Sequence, residues 1–437
     1  MITKKNKIVL FFPVLEEGKD YHWPPISLLA LATVLKSNKF ECVIIDSRVE
    51  NDPETRLKNE LKDALCLGIT AFTGYSLKYA LKATKICRDL DVKIPIIFGG
   101  PHATALPEQS KKSILIDDVV VGYGEFAFLE KVQRLAGIQR AGSQFDQATA
   151  FKKFIAADMP AIPYEIIDMK KYINPKTQAT IYLTSYGCPG KCSFCSTPTL
   201  RSWTPFAVEK VKKDLDNLFK IHPFKHLLFF DATFFANIKR ALEIADYIQK
   251  YNVEWSADCR TYEAAKLDKG LIRLLEKKKL TYLTIGLETG SDNIVNIMNK
   301  GKGHIERMYQ VINNFKDSSI NIASGIIFGI PGETIDDLKV TLKVIKELCA
   351  IKSNFKVSTT FFRPLPGTEL YHVLERDYHY RFPQSLEEWA ELGAKSHFEY
   401  NEAMDIPWFN KEMAKEYIRI YTDFWQENAH LFEGRGL

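Results

Sequence analysis

The sequence predicts an α/β protein in which a doubly wound parallel sheet is followed by a partial parallel barrel and a helical tail. Over about the first 135 residues, short apolar strand-like runs alternate with helical stretches. A second alternation begins near Ile181, and its strand candidates lie far enough apart for a crossover helix in each interval. From about Leu370 the sequence becomes helical and rich in aromatic residues. These three observations define the predicted fold class.

The composition favours a multidomain globular protein. The chain has 437 residues, of which 46% are hydrophobic and 26% charged, enough for two or three domains. The net charge of +5 comes from 59 basic and 54 acidic residues spread along the chain, without a basic arm. We therefore expect no nucleic-acid partner.

In the first series, small and polar residues follow the predicted strands. These strands span 7–12, 41–45, 65–70, 95–98 and 118–121. Parallel sheets bind ligands at the carboxyl ends of their strands, so the residues there are candidate ligand contacts. They are Asp46, Arg48, Thr70, Thr73, Gly99, Gly100, His102, Gly122, Tyr123 and Glu125.

The first residues superficially resemble a signal peptide, because lysines precede the apolar run 8–15. The run is short, ends in Glu16-Glu17-Gly18 and has no small-residue cleavage site, which favours a first buried strand. No apolar stretch reaches the roughly 18 residues that span a bilayer. We expect a soluble, cytoplasmic protein without a membrane partner.

The second series contains six predicted strands, which suit a partial or small parallel barrel with its site at the strand carboxyl ends. The strands begin near Ile181, Leu227, Glu254, Tyr282, Asn321 and Val357. A less patterned stretch with Gly142-Ser143-Gln144 precedes them and is predicted to be a linker. The predicted boundaries are 1–137 for the first domain, 138–177 for the linker, 178–370 for the barrel and 371–437 for the helical tail.

Three of the eight cysteines, Cys188, Cys192 and Cys195, form a C-x3-C-x2-C motif directly after a predicted strand. Eight cysteines in a chain this long are too few and too unevenly spaced for a disulfide scaffold, and the clustering indicates metal binding in a reducing compartment. The remaining five lie singly in apolar contexts and are expected to be small buried hydrophobes. They are Cys42, Cys66, Cys87, Cys259 and Cys349.

Thiolates this close in sequence can bind separate corners of one iron-sulfur cube. Three ligands on a four-iron cluster leave one iron open, and an open iron can chelate S-adenosylmethionine (SAM) so that an electron breaks its carbon-sulfur bond. A zinc knuckle is the alternative, but zinc usually takes a fourth protein ligand, and the sequence has no second CxxC or nearby histidine pair. The motif therefore predicts a 4Fe-4S cluster.

From about Ile181 to Tyr371 the sequence resembles the radical SAM enzymes. Besides the cysteines, the resemblance rests on four motifs after predicted strands: 230–234 (Phe-Asp-Ala-Thr-Phe), 286–290 (Gly-Leu-Glu-Thr-Gly), 329–334 (Gly-Ile-Pro-Gly-Glu-Thr) and 364–368 (Pro-Leu-Pro-Gly-Thr). The resemblance implies SAM contacts at Phe194, Asp231, Arg260, Glu288, Gly329 and Pro331. For Glu288, a structural salt bridge is the alternative.

The first domain looks like the Rossmann-like domain of the cobalamin-binding subfamily of these enzymes. The similar segments are 23–25 (Trp-Pro-Pro), 99–102 (Gly-Gly-Pro-His) and 122–125 (Gly-Tyr-Gly-Glu). The resemblance implies cobalamin contacts at Pro24 and at the strand-end residues named above. Classical cobalamin proteins carry an Asp-x-His-x-x-Gly motif after the second strand, whose histidine binds cobalt. Here Arg48 occupies the histidine position, and a guanidinium is a poor cobalt ligand.

Two interpretations follow from Arg48. Either cobalamin binds without a protein imidazole below the metal, as we expect, or the domain has lost cobalamin and is a scaffold. A cobalt without a strong lower ligand should accept and release a methyl group more readily, because axial donation tunes the metal. His102 is expected to form hydrogen bonds to the cofactor tail or to the backbone rather than to bind cobalt.

The resemblance implies a C-methyltransferase of the class B radical SAM type, acting on a small molecule or peptide through a 5'-deoxyadenosyl radical and methylcobalamin. An electron donor such as flavodoxin or ferredoxin is the expected partner. A cobalamin-containing radical cyclase or rearrangement enzyme without net methylation is the alternative, and a cobalamin-dependent sensor or binding module is the second. A methylthiotransferase would need another cysteine triad in the first domain.

Overall fold

The computed structural model describes residues 6–15, 18, 21–90, 93–138, 152, 155–197, 202–395 and 408–431. The chain divides into two compact units, each built from separate segments of the sequence. The first unit comprises Met1–Lys176, Pro205–Phe224 and Phe382–His397. The second comprises Thr177–Thr204, Lys225–Arg381 and Phe398–Leu437.

The first unit contains a five-stranded parallel sheet. Its strands are β1 (Lys7–Phe12), β2 (Glu41–Asp46), β3 (Ala64–Thr70), β4 (Ile96–Gly99) and β5 (Asp118–Val119). They are ordered β2-β1-β3-β4-β5, so the order reverses between β1 and β3. All six residues of β1 are buried, as expected for a central strand covered on both faces. The predicted doubly wound fold is confirmed, and ligands of such folds bind at the reversal point.

The helices of this unit lie mostly between its strands. They are α1 (Ile26–Ser37), α2 (Pro53–Leu61), α3 (Ser76–Arg88), α4 (Pro101–Ala105), α5 (Pro107–Lys111) and α6 (Gly124–Leu135). Two helices from later in the chain join them, α7 (Val208–Ile221) and α15 (Leu386–Lys395). Helix α15 contacts α3, and its Trp389 ring lies 5.9 Å from the ring of His102.

The predicted linker is partly structured. Residues 139–150, which include Gly142-Ser143-Gln144, lie outside the described residues. Further along, short 3-10 helices form at Tyr164–Ile166 and Met169–Tyr172. The Ile162 N–H donates to the buried Asp214 carboxylate of α7 at 3.0 Å. This part of the predicted linker is therefore packed within the first unit.

The second unit contains a six-stranded parallel sheet. Its strands are β6 (Ala179–Tyr182), β9 (His226–Phe229), β10 (Glu254–Arg260), β11 (Leu280–Gly286), β12 (Asn321–Phe328) and β13 (Phe355–Phe361). They are ordered β13-β12-β11-β10-β9-β6, and within the described residues β13 and β6 are the two edges. The predicted partial barrel is confirmed, and every strand begins within two residues of its predicted start. A short strand pair, β7 (Ser185–Tyr186) and β8 (Thr204–Pro205), follows β6.

Helices follow most of these strands and fill the crossovers. They are α8 (Ile238–Tyr247), α9 (Thr261–Ala264), α10 (Lys269–Lys277), α11 (Asp292–Ile297), α12 (His304–Phe315), α13 (Ile335–Ile351), α14 (Glu369–Asp377) and α16 (Lys411–Glu427). Helix α16 packs Tyr417 and Tyr421 against Phe328 of β12. None of the helices in the described part of the chain is long and apolar enough to cross a bilayer.

Candidate active site

The three clustered cysteines lie in one loop at the carboxyl end of β6, after β7. Gly187 begins the loop with a φ of +72°, which glycine adopts without strain. The Gly190 N–H donates to Cys188 Sγ at 3.3 Å, and the Cys195 N–H donates to the Cys192 carbonyl at 3.2 Å. All three cysteines are free and half-buried. We call residues 187–195 the cysteine loop.

The donor chemistry of the cysteine loop fits an iron-sulfur cluster. Within the described residues, no three His, Cys, Asp or Glu side chains gather as ligands of a metal ion. A four-iron cluster differs from a single metal ion, because each of three irons binds one thiolate at a separate corner of the cube. Burial raises the pKa of the Cys188 and Cys192 thiols, while the charges of Arg260 and Lys300 oppose this shift. Cationic side chains therefore lie where thiolates would form.

A buried aspartate holds the segment that directly precedes the cysteine loop. Asp231, directly after β9, is fully buried and accepts hydrogen bonds from Thr184 N–H at 3.0 Å, from Thr184 Oγ1 at 2.8 Å and from Ser185 Oγ. Arg240 donates to Thr184 Oγ1 at 3.0 Å and to the Thr184 carbonyl at 2.8 Å. The Trp203 indole N–H donates to Ser185 Oγ at 3.1 Å. Asp231, predicted to contact SAM, is thus occupied by protein donors.

The far side of the cysteine loop is held by the segment after α11. Ser193 donates through its hydroxyl to the Ile297 carbonyl at 2.6 Å and through its N–H to the Met298 carbonyl at 3.0 Å. Asn299 Nδ2 donates to the Lys191 carbonyl at 2.9 Å. Phe194, one of the predicted SAM contacts, is half-buried in this loop. The loop is therefore anchored on both sides.

Glu288 follows β11 in an unusual backbone conformation, with a φ of +67°. A non-glycine residue in this region is strained and occurs preferentially at functional sites. Its carboxylate lies 3.3 Å from Lys300 Nζ, which also donates to the Gly286 carbonyl at 3.0 Å. A Cβ at Gly286 would lie 2.4 Å from Glu288 Oε1, so only glycine leaves room for this carboxylate. The salt bridge considered for Glu288 is present.

Arg260 lies at the carboxyl end of β10 and reaches the cysteine loop. A Cβ at Gly190 would lie 3.3 Å from both Arg260 Nε and Cζ and 3.4 Å from Cys188 Sγ. The guanidinium also lies 3.4 Å from Glu263, a largely buried carboxylate whose pKa is raised by burial. Gly190 is therefore the residue that lets a cation approach the cysteines.

The loop after β12 is held by a carboxylate of its own, that of Glu333. Glu333 Oε2 accepts hydrogen bonds from the N–H groups of Gly329 at 2.6 Å and Ile330 at 3.1 Å. Burial raises the pKa of Glu333 to about 8, although these donors and Tyr417 oppose the shift. The Trp408 indole N–H donates to the Gly329 carbonyl at 2.8 Å. Pro331, the other residue predicted here, is buried.

In the first unit, Arg48 replaces the histidine of classical cobalamin proteins, and its guanidinium is hydrogen-bonded to other residues of the chain. Arg48 donates to both oxygens of Asp46, at 2.8 and 2.6 Å, and to the Trp23 carbonyl at 2.9 Å. Its guanidinium carbon lies 4.0 Å from the centre of the Phe12 ring. The Tyr172 hydroxyl donates to Asp46 Oδ2 at 3.0 Å. Asp46, the last residue of β2, and the side chain of Arg48 are both buried and form an ion pair without net charge.

The ends of β3 and β4 form a close-packed corner. Gly100 has a φ of +89°, and a Cβ there would lie 2.6 Å from Thr70 Oγ1. His102 Nδ1 lies 3.1 Å from Thr73 Oγ1, and its buried Nε2 has no hydrogen-bond partner within the described residues. Burial lowers the pKa of His102 to about 4. The imidazole is therefore neutral at pH 7 with one nitrogen unsatisfied.

The end of β5 is more open. A Cβ at Gly122 would have nothing within 4 Å, and its N–H donates to Thr104 Oγ1 at 3.0 Å. Gly99 and Tyr123 are half-buried, whereas Glu125 and Pro24 are buried. The hydroxyl, imidazole and backbone groups at the ends of β3, β4 and β5 fit the polar nucleotide tail of a cobalamin.

Sequence reasoning missed several residues that shape both sites. Three of them contact residues of other elements: Lys300 contacts Glu288, His304 contacts Leu287, and Tyr417 contacts Gly329. His304 Nε2 lies 2.7 Å from the Leu287 carbonyl. Arg240 and Tyr172 were also missed, because the residues they bind, Thr184 and Asp46, are remote in sequence. Only Lys300 carried a signal, since it lies in the Gly- and Lys-rich segment 299–303.

Two family models match the chain. The radical SAM superfamily model matches residues 182–345, and the B12 binding domain model matches residues 19–131. The first match contains the cysteine loop, and the second covers β2 to β5 of the first unit. Both agree with the domains expected from the sequence.

Curated relatives and solved structures agree with these matches. An uncharacterized methyltransferase of Pyrococcus horikoshii is 26% identical over 84% of this chain and 83% of its own length. An anaerobic magnesium-protoporphyrin IX monomethyl ester cyclase of Rubrivivax gelatinosus is 25% identical over 81% of this chain and 66% of its own length.

The fold is also that of solved enzymes. The radical SAM methyltransferase TsrM of Kitasatospora setae, solved with cobalamin and a 4Fe-4S cluster, has a TM-score of 0.71 at 14% identity, covering 87% of this chain and 76% of that one. The cobalamin-dependent SAM radical enzyme OxsB has a TM-score of 0.71 at 17% identity, covering 97% and 72%. The chain therefore contains a radical SAM domain and a B12 binding domain, and its cofactors are a 4Fe-4S cluster, SAM and cobalamin.

Proposed function

We propose that this enzyme is a C-methyltransferase that modifies a small molecule or a peptide. When bound, the cluster supplies the electron that cleaves SAM, and cobalamin supplies a carrier for the methyl group. The Pyrococcus relative named a methyltransferase spans most of this chain and supports the proposal. Thiols remain reduced in the cytoplasm, where we place the reaction.

In this proposal, the chain's own residues bind and orient the reactants. Cys188, Cys192 and Cys195 hold three irons. Phe194, Asp231, Arg260, Glu288, Gly329 and Pro331 stay our candidates for the SAM site. Of these, Glu288 has the most direct support, because a strained non-glycine backbone occurs preferentially at functional sites. Its salt bridge with Lys300 is the structural alternative.

The cobalamin contacts are likewise proposals. The polar groups at the strand ends that are partly exposed belong to Thr73, Gly99, Gly100, Gly122 and Tyr123, whereas Pro24, Thr70, His102 and Glu125 are buried. The unsatisfied His102 Nε2 is the observation that favours a polar ligand atom here, since buried polar atoms are usually paired.

The observation that best supports methyl transfer is the set of contacts that the Arg48 side chain makes. Its guanidinium is held by Asp46, by the Trp23 carbonyl and by the Phe12 ring, so no imidazole is offered after β2. Arg48 and its partners would therefore leave a bound cobalamin without an imidazole from this segment, and the cofactor would supply the methyl carrier. The sequence departure thus favours a carrier that both accepts and releases methyl.

A second candidate, radical cyclisation without net methylation, is favoured by the relatives of that name. Cyclases of Rubrivivax gelatinosus and Cereibacter sphaeroides match 81% and 80% of this chain. This chain spans 66% and 60% of their lengths. Such an enzyme would cleave SAM reductively but would not transfer its methyl group.

The coproducts of SAM distinguish the two functions before the substrate is known. We would incubate the anaerobically reconstituted enzyme with cobalamin, titanium(III) citrate and methyl-labelled SAM. A methyltransferase should release both S-adenosylhomocysteine and 5'-deoxyadenosine, and a Cys192→Ala variant should lose only the second. Release of 5'-deoxyadenosine without S-adenosylhomocysteine would instead support the cyclase, and cobalt absent at full iron loading would contradict cobalamin binding.

A further inference from the structure

Two ion pairs flank the cysteine loop. Arg260, at the end of β10, lies 3.4 Å from Glu263, which follows one turn further along the chain. Lys300 lies 3.3 Å from Glu288 and donates to the Gly286 carbonyl at 3.0 Å. The Lys300 side chain is 8% exposed and that of Arg260 28%, so solvent screens both charges less than it would on an open surface. We call Arg260 and Lys300 the flanking cations.

The contacts of Gly190 place the Arg260 guanidinium beside Cys188. A Cβ at Gly190 would lie 3.3 Å from Arg260 Cζ and 3.4 Å from Cys188 Sγ, so both groups lie against the same point of the loop. The Gly190 N–H itself donates to this sulfur at 3.3 Å. A side chain at position 190 would crowd both groups. The loop thus presents Cys188 to a hydrogen-bond donor and to a positive charge.

Lys300 approaches the loop from the segment after α11. Its neighbour Asn299 donates from Nδ2 to the Lys191 carbonyl at 2.9 Å, which holds this segment against the loop. Burial raises the pKa of the Cys192 thiol, and among the charged groups Lys300 lowers this pKa more than Glu288 raises it. The charge of Lys300 therefore acts on the Cys192 sulfur more strongly than the charge of its acidic partner does.

The same balance holds at Cys188. Burial raises the pKa of its thiol, and Arg260 lowers this pKa more than Glu263 raises it. An iron-sulfur cluster gains one negative charge when it is reduced, so a nearby cation stabilises the reduced form. Both flanking cations should therefore make the cluster easier to reduce.

We propose that the flanking cations, Arg260 and Lys300, set the reduction potential of the cluster by stabilising its reduced form. The step concerned is the entry of one electron from a low-potential reductant, in which no covalent bond forms or breaks. The proposal rests on the cluster and is independent of the product. An enzyme that transfers no methyl group would leave it standing.

The test replaces each cation in turn, in the variants Arg260→Met and Lys300→Met of the full-length, anaerobically reconstituted enzyme. Arg260→Lys keeps the charge and serves as the conservative variant. The matched control is Arg419→Met, which makes the same charge change on α16. Arg419 is exposed and, like Arg260, lies 3.4 Å from an acid on the same helical segment, Asp423.

The midpoint potential of the cluster is measured by redox titration without SAM or substrate. Electron paramagnetic resonance detects only the reduced cluster, so a variant with incomplete iron loading still gives a midpoint from the protein that holds a cluster. Iron content is measured in parallel. A second titration, with SAM present, separates an effect on the cluster from an effect on SAM binding.

At a fixed potential we expect each methionine variant to show a reduced-to-oxidised ratio about tenfold below that of the wild type, which is a fall in midpoint of about 59 mV for one electron. Arg260→Lys and Arg419→Met should keep the wild-type midpoint. A wild-type midpoint without SAM in either methionine variant would overturn the proposal for that cation, and a shift seen only with SAM would assign the cation to the SAM site instead. Loss of the cluster from a methionine variant would overturn the proposal for that cation in favour of a structural role.

Discussion

Each of the two sheets has a buried aspartate at the end of a strand. Asp46 is the last residue of β2, and Asp231 follows β9. The two carboxylate charges are stabilised by different partners. Asp46 is paired with a cation, Arg48, and also accepts hydrogen bonds from the backbone N–H of Arg48 and from the Tyr172 hydroxyl. Asp231 accepts hydrogen bonds from hydroxyl and N–H groups of Thr184 and Ser185, and the charge of Arg240 opposes the burial that raises its pKa. The first arrangement stores a buried ion pair, and the second uses a charge to shape a loop.

The difference separates stability from function. A buried ion pair is costly to break, because the remaining charge has no partner, but it need not orient anything else. A carboxylate that accepts from a loop fixes the conformation of that loop. We therefore expect changes at Asp46 to affect mainly the stability of the first unit, and changes at Asp231 to affect the cysteine loop.

The largest expected effect comes from Asp46→Ala. This change leaves the Arg48 guanidinium, whose side chain is 6% exposed, without its charge partner. We expect the first unit to lose about 3–5 kcal/mol of unfolding free energy. Chemical denaturation followed by circular dichroism would measure it.

A paired control separates the lost attraction from the unpaired charge. In Asp46→Leu with Arg48→Met, both charges are removed and apolar groups fill the space. This double variant should be more stable than Asp46→Ala, since hydrophobic replacement of a buried ion pair is often neutral. Equal destabilisation of the two variants would mean that the ion pair does not dominate this site.

Asp231→Asn should have a smaller effect on stability and a larger effect on the cluster. An amide cannot accept all three hydrogen bonds from Thr184 and Ser185, so we expect a loss of about 1–3 kcal/mol. The cysteine loop should become less ordered, and reconstituted protein should hold less iron. Iron analysis and electron paramagnetic resonance of the reduced cluster check this. Full iron content with an unchanged spectrum would contradict the positioning role.

A third buried acid, Glu333, extends the comparison of the two aspartates, because its contribution to folding stability should depend on pH. Burial raises the pKa of Glu333 to about 8 in the folded protein, above its ordinary value near 4.5. Its contribution to stability is therefore present below pH 4.5 and is lost as the pH rises through 8. The loss is at most about 1.4 kcal/mol for each pH unit in this window.

Glu333→Gln should remove this dependence while keeping an oxygen that accepts from Gly329. Compared with the variant, the wild type should lose melting temperature between about pH 5 and 8. The exposed Glu347→Gln variant serves as the control and should follow the wild type. Parallel curves for wild type and Glu333→Gln would show that the fold does not bind the additional proton.

The smallest expected effect is that of Tyr172→Phe. The Asp46 carboxylate keeps Arg48 and loses one hydrogen bond, from a hydroxyl 3.0 Å away. We expect a loss of about 0.5–1.5 kcal/mol, measured by the same denaturation experiment. A loss as large as that of Asp46→Ala would mean that Tyr172, rather than Arg48, controls the carboxylate.

Much of the fold could be predicted because each parallel strand is a short apolar run with small or polar residues at its end. The start of β10 at Glu254 and of β12 at Asn321 was predicted to the residue. The cysteine motif could be predicted because its ligands are adjacent in sequence, so spacing alone limits the chemistry.

The partners of single side chains could not be predicted in this way. Tyr172 binds Asp46 from 126 residues away, and Arg240 of α8 reaches Thr184 in the segment after β6. Such pairs depend on how the elements pack. The strand-end position of Asp231 suggested a ligand contact, but the same position also allows a carboxylate to hold the neighbouring loop. The predicted domain boundaries and the individual cofactor contacts stay predictions.

Helix α15 has a consequence for how the protein is made. The sheet of the first unit is complete at Val119, but α15, which contacts α3 and brings Trp389 to His102, begins at Leu386. Ribosomes add about 5–20 residues per second, so roughly 13–50 seconds separate the two events. Throughout that interval the nascent chain exposes the surface of α3 that α15 later covers. The first domain to emerge is therefore among the last to be finished, and slow translation prolongs its exposure to aggregation and proteolysis.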